Sequence, residues 1–448
     1  VIPEGKLLRK FAVPSIIAML VSALYNIIDQ FFIGRNVGQL GNAATNVCFP
    51  FTTSCIAMAL LFGIGGASAF NLNMGAGRSK EAGKYIANAA VMMILSGIII
   101  GAVALIFTEP LLIAFGTPAD VLPYATEYAR FTAIGFPFCI LAGGGGHLIR
   151  ADGRPGMSMV VNLVGAVINA VLDYFFVSVF KWGMMGAAVA TVIGQVISSV
   201  LIIIFLVRYK TVKLKAPDFI PKVRYFGRNM ALGTAPFFNQ IAMMVVQIVL
   251  NNSLKYYGGK SVYGESVPIA AVGIIMKVSM IVFSFVIGIS QGLQPIVSFN
   301  YGASKYARVK KAYLLAIASG SVIAIIAFVL FQIFPLQIIR IFGEGTQEYY
   351  DFAVRYFRIF LMFICFCFMQ PISSNFFSSI GKPGKGVFLS LTRQIIFLLP
   401  LIIILPLFMG IDGIMYAGPV ADFAATALCT ILIIKEFKRP EFKKGYME

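Results

Sequence analysis

The chain has 448 residues, of which 59% are hydrophobic and only 12% are charged. Soluble proteins carry about 25% charged residues, so this chain lacks the polar side chains that a soluble protein of its length would need to cover its surface. The composition therefore excludes an ordinary soluble domain and indicates that lipid surrounds most of the chain. The formal net charge of +18 suggests nucleic acid as a partner. The positions of the basic residues, described below, argue against that interpretation.

Twelve apolar runs are each long enough to cross a membrane, since a helix of about 20 residues spans the hydrocarbon layer. Helices are expected because every backbone polar group in lipid must find its partner within the segment. In chain order the predicted spans are 11–33, 47–73, 86–108, 122–148, 156–180, 184–207, 230–254, 268–299, 312–335, 352–379, 386–408 and 413–434. We therefore expect an all-α polytopic membrane protein with twelve transmembrane helices.

The basic residues fall mainly on one side of these spans. Of the 36 Lys and Arg residues, 26 lie in the termini and alternate loops, eight lie in the opposite loops or in the adjoining outer parts of spans, and two, Lys277 and Arg393, lie nearer mid-membrane. Short basic loops stay in the cytoplasm, so both termini are predicted to be cytoplasmic. Anionic headgroups of the membrane lipid are the natural partner of this charge, and nucleic acid is not expected to bind.

The two halves of the sequence repeat. Residues 73–76 (Asn-Met-Gly-Ala) recur at 300–303 (Asn-Tyr-Gly-Ala), and residues 153–156 (Gly-Arg-Pro-Gly) recur at 381–384 (Gly-Lys-Pro-Gly). Each half holds six spans, an even number, so the halves share one orientation and should be related by an axis along the membrane normal. The sequence predicts two six-helix lobes around a central cleft: an N-lobe (1–207), a cytoplasmic linker (208–228), a C-lobe (229–434) and a cytoplasmic tail (435–448).

Three of the 18 acidic residues lie well inside a span, namely Asp29, Asp173 and Asp422. A carboxylate at membrane depth costs roughly 3 kcal/mol on insertion scales, so such residues are functional candidates unless an ion pair explains them. Asp29 and Asp173 lie about five and seven residues from the outer ends of their spans, which places both roughly 7–12 Å below the outer surface.

Other oxygen-bearing side chains lie at the same depth. Asn169 precedes Asp173 by one helical turn and faces the same side, and Thr191 lies about eight residues into span six. Small residues along span six would allow it to approach span five closely. Two carboxylates, an amide, a hydroxyl and a backbone carbonyl would suit a hard cation, while the same desolvated carboxylates could instead carry a proton. A packing or polar-network role is the alternative.

Three groups of residues form recognisable motifs. They are Gly288-Ile289-Ser290-Gln291-Gly292-Leu293-Gln294-Pro295 with Asn300-Tyr301-Gly302-Ala303, the two Gly-x-Pro-Gly loops, and Asp29 followed by Phe32-Ile33-Gly34. Together with the 6+6 repeat, these motifs resemble the multidrug and toxic compound extrusion (MATE) family over nearly the whole chain, and most closely its bacterial DinF-like and MepA-like branch. The resemblance implies a transporter of the bacterial cell (inner) membrane in which Na+ or H+ entry drives efflux of amphipathic, often cationic, compounds by alternating access.

The resemblance also implies roles for individual residues. Asp29, Asn169, Asp173 and Thr191 occupy positions of the family's N-lobe cation site, where they would be metal ligands if Na+ is the coupling ion. The carbonyl oxygen of Ala187 would be a further ligand in that site. Tyr25, one turn from Asp29, matches a position that contacts ligand in the family.

The C-lobe lacks the matching set. The positions equivalent to 29, 169, 173 and 191 hold Asn251, Phe397, Leu401 and Gly418. Some family members carry a Glu in span seven and an Asp in span ten, where this chain offers only amides: Asn239, Gln240, Gln247 and Gln370. A C-lobe cation site is therefore not expected. Asp422 is predicted to pair with Lys277 or Arg393 in a C-lobe polar network, whose role in structure, substrate binding or proton transfer is left open.

The cleft should contain part of the chain's 41 Phe, 18 Tyr and 19 Met residues. Flexible Met side chains and aromatic faces suit ligands of varied shape, and aromatic faces attract organic cations, although most such residues simply pack in cores. The candidate substrate-binding residues are Tyr25, Asn26, Met58, Phe62, Met244 and Met276.

Other functions find less support. The chain has no HExxH, GxSxG or Walker A motif, so we expect neither an enzyme nor direct use of a nucleotide. The spacing of its six cysteines suggests neither zinc nor disulfides, and we expect no cofactor besides the Na+ or H+ coupling ion, and a monomer. The alternative is flipping of a lipid or lipid-linked sugar, but only two basic residues, Lys277 and Arg393, lie near mid-membrane to meet a phosphate. The sequence favours a cation-coupled multidrug efflux antiporter that carries drug-like small molecules.

Overall fold

The computed structural model describes residues 2–264, 266–341 and 346–444, so the last four residues of the predicted tail lie outside the described residues. Its α-helices are α1 (Glu4–Asn36), α2 (Gln39–Val47), α3 (Phe49–Gly75), α4 (Ser79–Ile106), α5 (Thr108–Ala114), α6 (Leu122–Ile134), α7 (Phe136–Ala151), α8 (Pro155–Asp173), α9 (Gly183–Val207), α10 (Val223–Gly259), α11 (Ser266–Gly302), α12 (Tyr306–Ile333), α13 (Pro335–Ile341), α14 (Gln347–Phe360), α15 (Met369–Ser379), α16 (Pro383–Leu391), α17 (Leu399–Met409), α18 (Ile411–Phe437) and α19 (Pro440–Lys444). Two π-helical segments, Tyr174–Val179 and Thr392–Leu398, continue α8 and α16.

The described residues contain eleven helices or helical runs that are long and apolar enough to cross a membrane, and a bent pair brings the number to twelve. This confirms the predicted twelve-span, all-α architecture. The bent pair is α6 with α7, which meet at 61° where the sequence predicted one continuous span over 122–148. Gly135 lies at the break and Pro137 stands in the first turn of α7, a position that proline tolerates because the N–H it lacks has no partner there.

The linker is shorter than predicted because α10 begins at Val223 and not near residue 229. Hydropathy does not predict the first turn and a half of α10 as part of a span, because this stretch carries the charged residues Arg224 and Arg228. The linker is fastened to the N-lobe by hydrogen bonds: the backbone N–H of Thr211 donates to Asp152 Oδ1 at 2.9 Å, and that of Lys222 donates to Asn88 Oδ1 at 2.9 Å.

Each lobe has its own large apolar core. One is built from α2 to α9 together with Ile33 of α1, and the other from the outer parts of α10, α11, α14, α17 and α18. We call the membrane half in which both described chain ends lie the inner half; the charge distribution predicts that it is cytoplasmic.

The inner halves of α1 and α10 each pack against the opposite lobe. Leu8 and Phe11 of α1 belong to an apolar cluster of the C-lobe, whereas Tyr225 and Leu232 of α10 pack with residues of α3 and α4 in the N-lobe. The outer half of α1 returns to the N-lobe, where it packs on α8. The first helix of each repeat therefore ties the two lobes together in the inner half.

Glycines allow the lobes to meet backbone to backbone in this half. A Cβ atom on Gly233 of α10 would lie 1.8 Å from the carbonyl oxygen of Leu61, and one on Gly65 of α3 would lie 1.9 Å from that of Asn229. Gly302 of α11 approaches α3 nearly as closely. Because these contacts leave no room between the lobes, the inner half of the cleft is closed.

Three ion pairs join the lobes at the inner surface, two of them made by Glu4 of α1 and the third, of reversed polarity, by Arg224 of α10. Glu4 of α1 accepts from Arg308 Nε at 2.9 Å and lies 3.0 Å from Lys311 Nζ, both on α12. Arg224 of α10 lies 3.1 Å from Glu81 of α4. Burial alone would raise the pKa of Glu4, but hydrogen bonds from its backbone amide and from the two bases outweigh it and hold that pKa below its usual 4.5. Glu4 therefore stays ionised and paired at neutral pH.

Candidate cation site and substrate cleft

Two carboxyl groups from different helices meet in the outer half of the N-lobe. Asp29 of α1 is 8% exposed, Asp173 at the end of α8 is fully buried, and the two side chains lie within hydrogen-bonding reach of each other. Each keeps one buried oxygen, Oδ1, without a hydrogen-bond partner. Two desolvated acids in contact cannot both remain charged without compensation, so the pair requires a proton or a cation.

Asn169 connects this pair to the next helix. Its side-chain amide lies 3.2 Å from Thr191 Oγ1 of α9. In the orientation that satisfies all its neighbours, the amide nitrogen donates to Asp173 Oδ2 at 3.0 Å and the oxygen accepts from the backbone N–H of Thr191 at 3.0 Å. For its oxygen to ligate a cation beside the carboxylates, the amide would have to turn by half a rotation. Ala187 is buried one turn before Thr191, and a role for its carbonyl oxygen stays a prediction.

Small residues bring α8 and α9 close enough for these contacts. A Cβ atom on Gly194 would lie 2.9 Å from the carbonyl oxygen of Gly165, and one on Gly165 would lie 2.1 Å from Ser198 Oγ. Glycine at both positions therefore sets the separation of the helices. The π-helical segment Tyr174–Val179 follows Asp173 directly. Such widened turns recur at functional sites, since they leave backbone groups free to rearrange.

Two tyrosines face the acidic pair. The side chain of Tyr25 lies near both Thr191 and Asp29. Tyr128 of α6 also lies beside Asp29 and Asp173, although it was absent from the sequence-based candidates. Tyr128 lies about six residues into its span, roughly 9 Å below the outer surface. Counting residues from the outer end of the span therefore places it at the same depth as Asp29 and Asp173.

The predicted substrate-binding residues separate into two groups. Asn26 is exposed, and Tyr25, Met58, Met244 and Met276 are half-buried, which leaves part of each side chain free. Phe62 is 1% exposed and packs inside the N-lobe core, so it does not line the cleft. Sequence could not separate these cases, because Met58 and Phe62 lie one turn apart on α3.

In the C-lobe, Arg393 and not Lys277 pairs with Asp422. Arg393 Nε donates to Asp422 Oδ1 at 2.5 Å, and both side chains are largely buried. Arg393 lies in the π-helical segment Thr392–Leu398. Lys277 is exposed on α11, three turns outward from Gly288 and on the same helix face. Because Gly288 packs on Ile16 of α1, this face of α11 is turned toward the N-lobe.

Comparison with known proteins agrees with this architecture. The MatE family model matches residues 14–175 and 236–404, one segment in each half. The chain is 24% identical to the multidrug export protein MepA of Staphylococcus saprophyticus over 433 residues, which cover 95% of this chain and 92% of that protein. It is 22% identical to MepA of Staphylococcus aureus (strain MRSA252) over 436 residues, covering 96% and 94%.

Solved structures have the same fold. An outward-facing multidrug resistance transporter of the MATE family and MOP superfamily superposes with a TM-score of 0.90 at 22% identity, covering 98% of this chain and 97% of that one. A MOP superfamily transporter from Pyrococcus furiosus gives a TM-score of 0.89 at 22% identity, covering 100% and 96%. The family model covers most of the chain and both repeats, and this chain therefore belongs to the MatE family.

Proposed function

We propose that this protein is a cation-coupled multidrug efflux antiporter of the bacterial cell membrane, with both termini in the cytoplasm. The observation that carries the proposal is the buried pair Asp29–Asp173, which has no basic partner among the described residues. An uncompensated acidic pair at membrane depth is unfavourable unless a positively charged species neutralises it. Similarity to MepA multidrug export proteins supports drug-like, often cationic, compounds as the other substrate.

Either Na+ or H+ fits the residues as the coupling ion. A proton would bridge the two carboxyl groups that already lie within hydrogen-bonding reach. A sodium ion would take oxygens from Asp29, Asp173 and Thr191, and from Asn169 after its amide turns. We propose the same residues for both ions and leave the choice between them to experiment.

Antiport follows if ion and drug stabilise opposite states of one protein. The closed inner half described above leaves the acidic pair to be reached from the outside, so external ions would load first. Neutralisation removes the repulsion between α1 and α8 and lets α1 move relative to α8. Drug binding from the cytoplasmic side would then favour the state that releases the ion inward. Opposed preferences of two ligands for two states couple their fluxes without direct contact.

The experiment is dye efflux from vesicles that contain the purified protein, driven separately by a sodium gradient and by a pH gradient. The parent should respond to at least one gradient. Asp173→Asn should lower gradient-driven efflux by about tenfold or more, because coupling between sites is typically worth 5–150-fold. Asp120→Asn, an exposed acid in a loop, is the matched control and should behave as the parent does. Parent efflux that ignores both gradients would refute coupled antiport.

A further inference from the structure

A row of polar side chains lies buried where the two lobes meet, below the cleft. Gln291, Gln294 and Ser298 of α11 are respectively 5%, 1% and 0% exposed. Their spacing of three and four residues puts them on one helix face over two turns, about 10 Å along the axis. We call these three residues the interlobe row.

The interlobe row faces the N-lobe. The side-chain amide of Gln291 donates from Nε2 to Met19 Sδ of α1 at 3.6 Å, and that of Gln294 donates to Ser68 Oγ of α3 at 3.1 Å. Ser298 lies one turn before Gly302, where α11 crosses α3. The row therefore extends along α11 from its contact with α1 at Met19 to the crossing with α3 near the inner surface.

The row carries more acceptors than the closed structure uses. Gln291 Oε1, Gln294 Oε1 and Ser298 Oγ are all buried without a hydrogen-bond partner. Buried polar atoms in folded proteins nearly always have a partner, and leaving them without one is unfavourable. Three unpartnered oxygens in succession on one face indicate that the row is built for another conformation, in which the lobes separate and the oxygens meet a ligand.

We propose that the interlobe row is a second substrate-contact site, which binds organic cations through their N–H groups when the inner half opens. Neutral amide and hydroxyl oxygens accept from an ammonium or amine, whereas they offer an anion no charge and a quaternary cation no hydrogen bond. The site rests on the proposed function and adds to it a preference among cations. Substrates that carry N–H donors should be loaded from the inner side more readily than quaternary analogues.

The test compares two substrates that share one apolar body, a primary alkylammonium dye and its trimethylammonium counterpart. Gln294→Met keeps the side chain's length and removes both its acceptor oxygen and its hydrogen bond to Ser68. We expect this variant to raise the KM for the primary amine about tenfold and to leave the KM for the quaternary cation within about twofold, since a lost hydrogen bond to a charged group accounts for that factor. Gln370→Met is the matched control, because Gln370 is a buried glutamine whose amide donates within the C-lobe to the carbonyl of Leu389.

The outcomes separate this site from the proposed function. If the parent transports neither dye under any gradient, the proposed function fails and this site fails with it. If transport is driven by a gradient but Gln294→Met changes both KM values equally or leaves both unchanged, this site alone is refuted, and water or packing accounts for the row.

A second measurement does not depend on transport. Ser298→Cys should react with a membrane-impermeant thiol reagent applied from the inner side, above the baseline set by the parent's own six cysteines, and the primary amine should slow that reaction. No reaction from the inner side, reaction from the outer side, or equal protection by both dyes would overturn the assignment.

Discussion

Gly233 offers a direct test of how the inner half closes. A Cβ atom at this position would lie 1.8 Å from the carbonyl oxygen of Leu61 and 2.6 Å from its carbonyl carbon. The atoms in the way belong to the backbone of α3, so no side-chain rotation relieves the overlap. Gly233→Ala must therefore push α3 and α10 apart, and it should disfavour the conformation in which the inner half is closed.

The size of the effect follows from the overlap. Forcing one extra carbon into a packed contact typically costs about 1–3 kcal/mol. Alanine also favours the helix over glycine by about 1 kcal/mol, but α10 is helical in either conformation and this gain cancels between them. At 1.4 kcal/mol for each factor of ten, the equilibrium should move toward the state open on the inner side by about 5- to 150-fold.

Distances between spin labels on the exposed residues Lys80 and Lys305, at the inner ends of the two lobes, would measure this shift. Gly233→Ala should increase the population with the longer distance. Gly227→Ala is the matched control, because Gly227 lies on the same helix and a Cβ atom there would meet nothing within 4 Å. The steric argument is refuted if Gly233→Ala leaves the distances unchanged in a folded protein, or if Gly227→Ala shifts them as much.

Two further predictions concern ion pairs. Glu4→Gln should weaken inner closure by about 1 kcal/mol, because the pair with Arg308 is partly exposed, and exchanging the two residues (Glu4→Arg with Arg308→Glu) should restore it in the same distance measurement. Since the pKa of Glu4 is lowered, its contribution is complete above pH 4.5 and is lost as the inner pH falls through the lowered value. Asp422→Asn should destabilise the folded protein by about 3–5 kcal/mol in thermal unfolding, because it leaves Arg393 buried and unpaired. Arg393→Met with Asp422→Leu should recover most of that stability, and a double variant that is stable yet inactive would assign the pair a transport role.

Much of the fold could be predicted because lipid constrains it strongly. Span number follows from apolar length, and the sequence therefore predicted twelve spans correctly. The break between α6 and α7 was not predicted, since Gly135 and Pro137 stand within an apolar run that hydropathy reads as continuous. The start of α10 was placed too late for the opposite reason, because its first turns are polar and extend into water.

The candidate site was predictable in depth but not in rotation about each helix axis. Counting residues from the span ends places Asp29, Asp173 and Thr191 at the same depth in the membrane. In the structure the two carboxyl groups are neighbours, and Asn169 connects Asp173 to Thr191. Counting could not decide whether Arg393 or Lys277 meets Asp422, because both lie near mid-membrane and only the packing of α11 turns Lys277 away. It likewise could not tell that Phe62 points into a core.

The path of α1 explains how an ion bound in one lobe could move the other. Its outer half carries Asp29 against α8, while its inner half, at Leu8 and Phe11, is packed into the C-lobe. A change in the contact between Asp29 and Asp173 therefore moves the outer half of α1. Because the inner half of the same helix is packed into the C-lobe, that movement is transmitted to the C-lobe. Helix α10 follows the same crossed path in the other direction, but its position equivalent to Asp29 is the neutral Asn251. The helices α1 and α10 follow equivalent paths, but only α1 carries a carboxylate at this position. An ion bound at Asp29 therefore acts on one of the two equivalent helices and can shift the balance between the conformations of the protein.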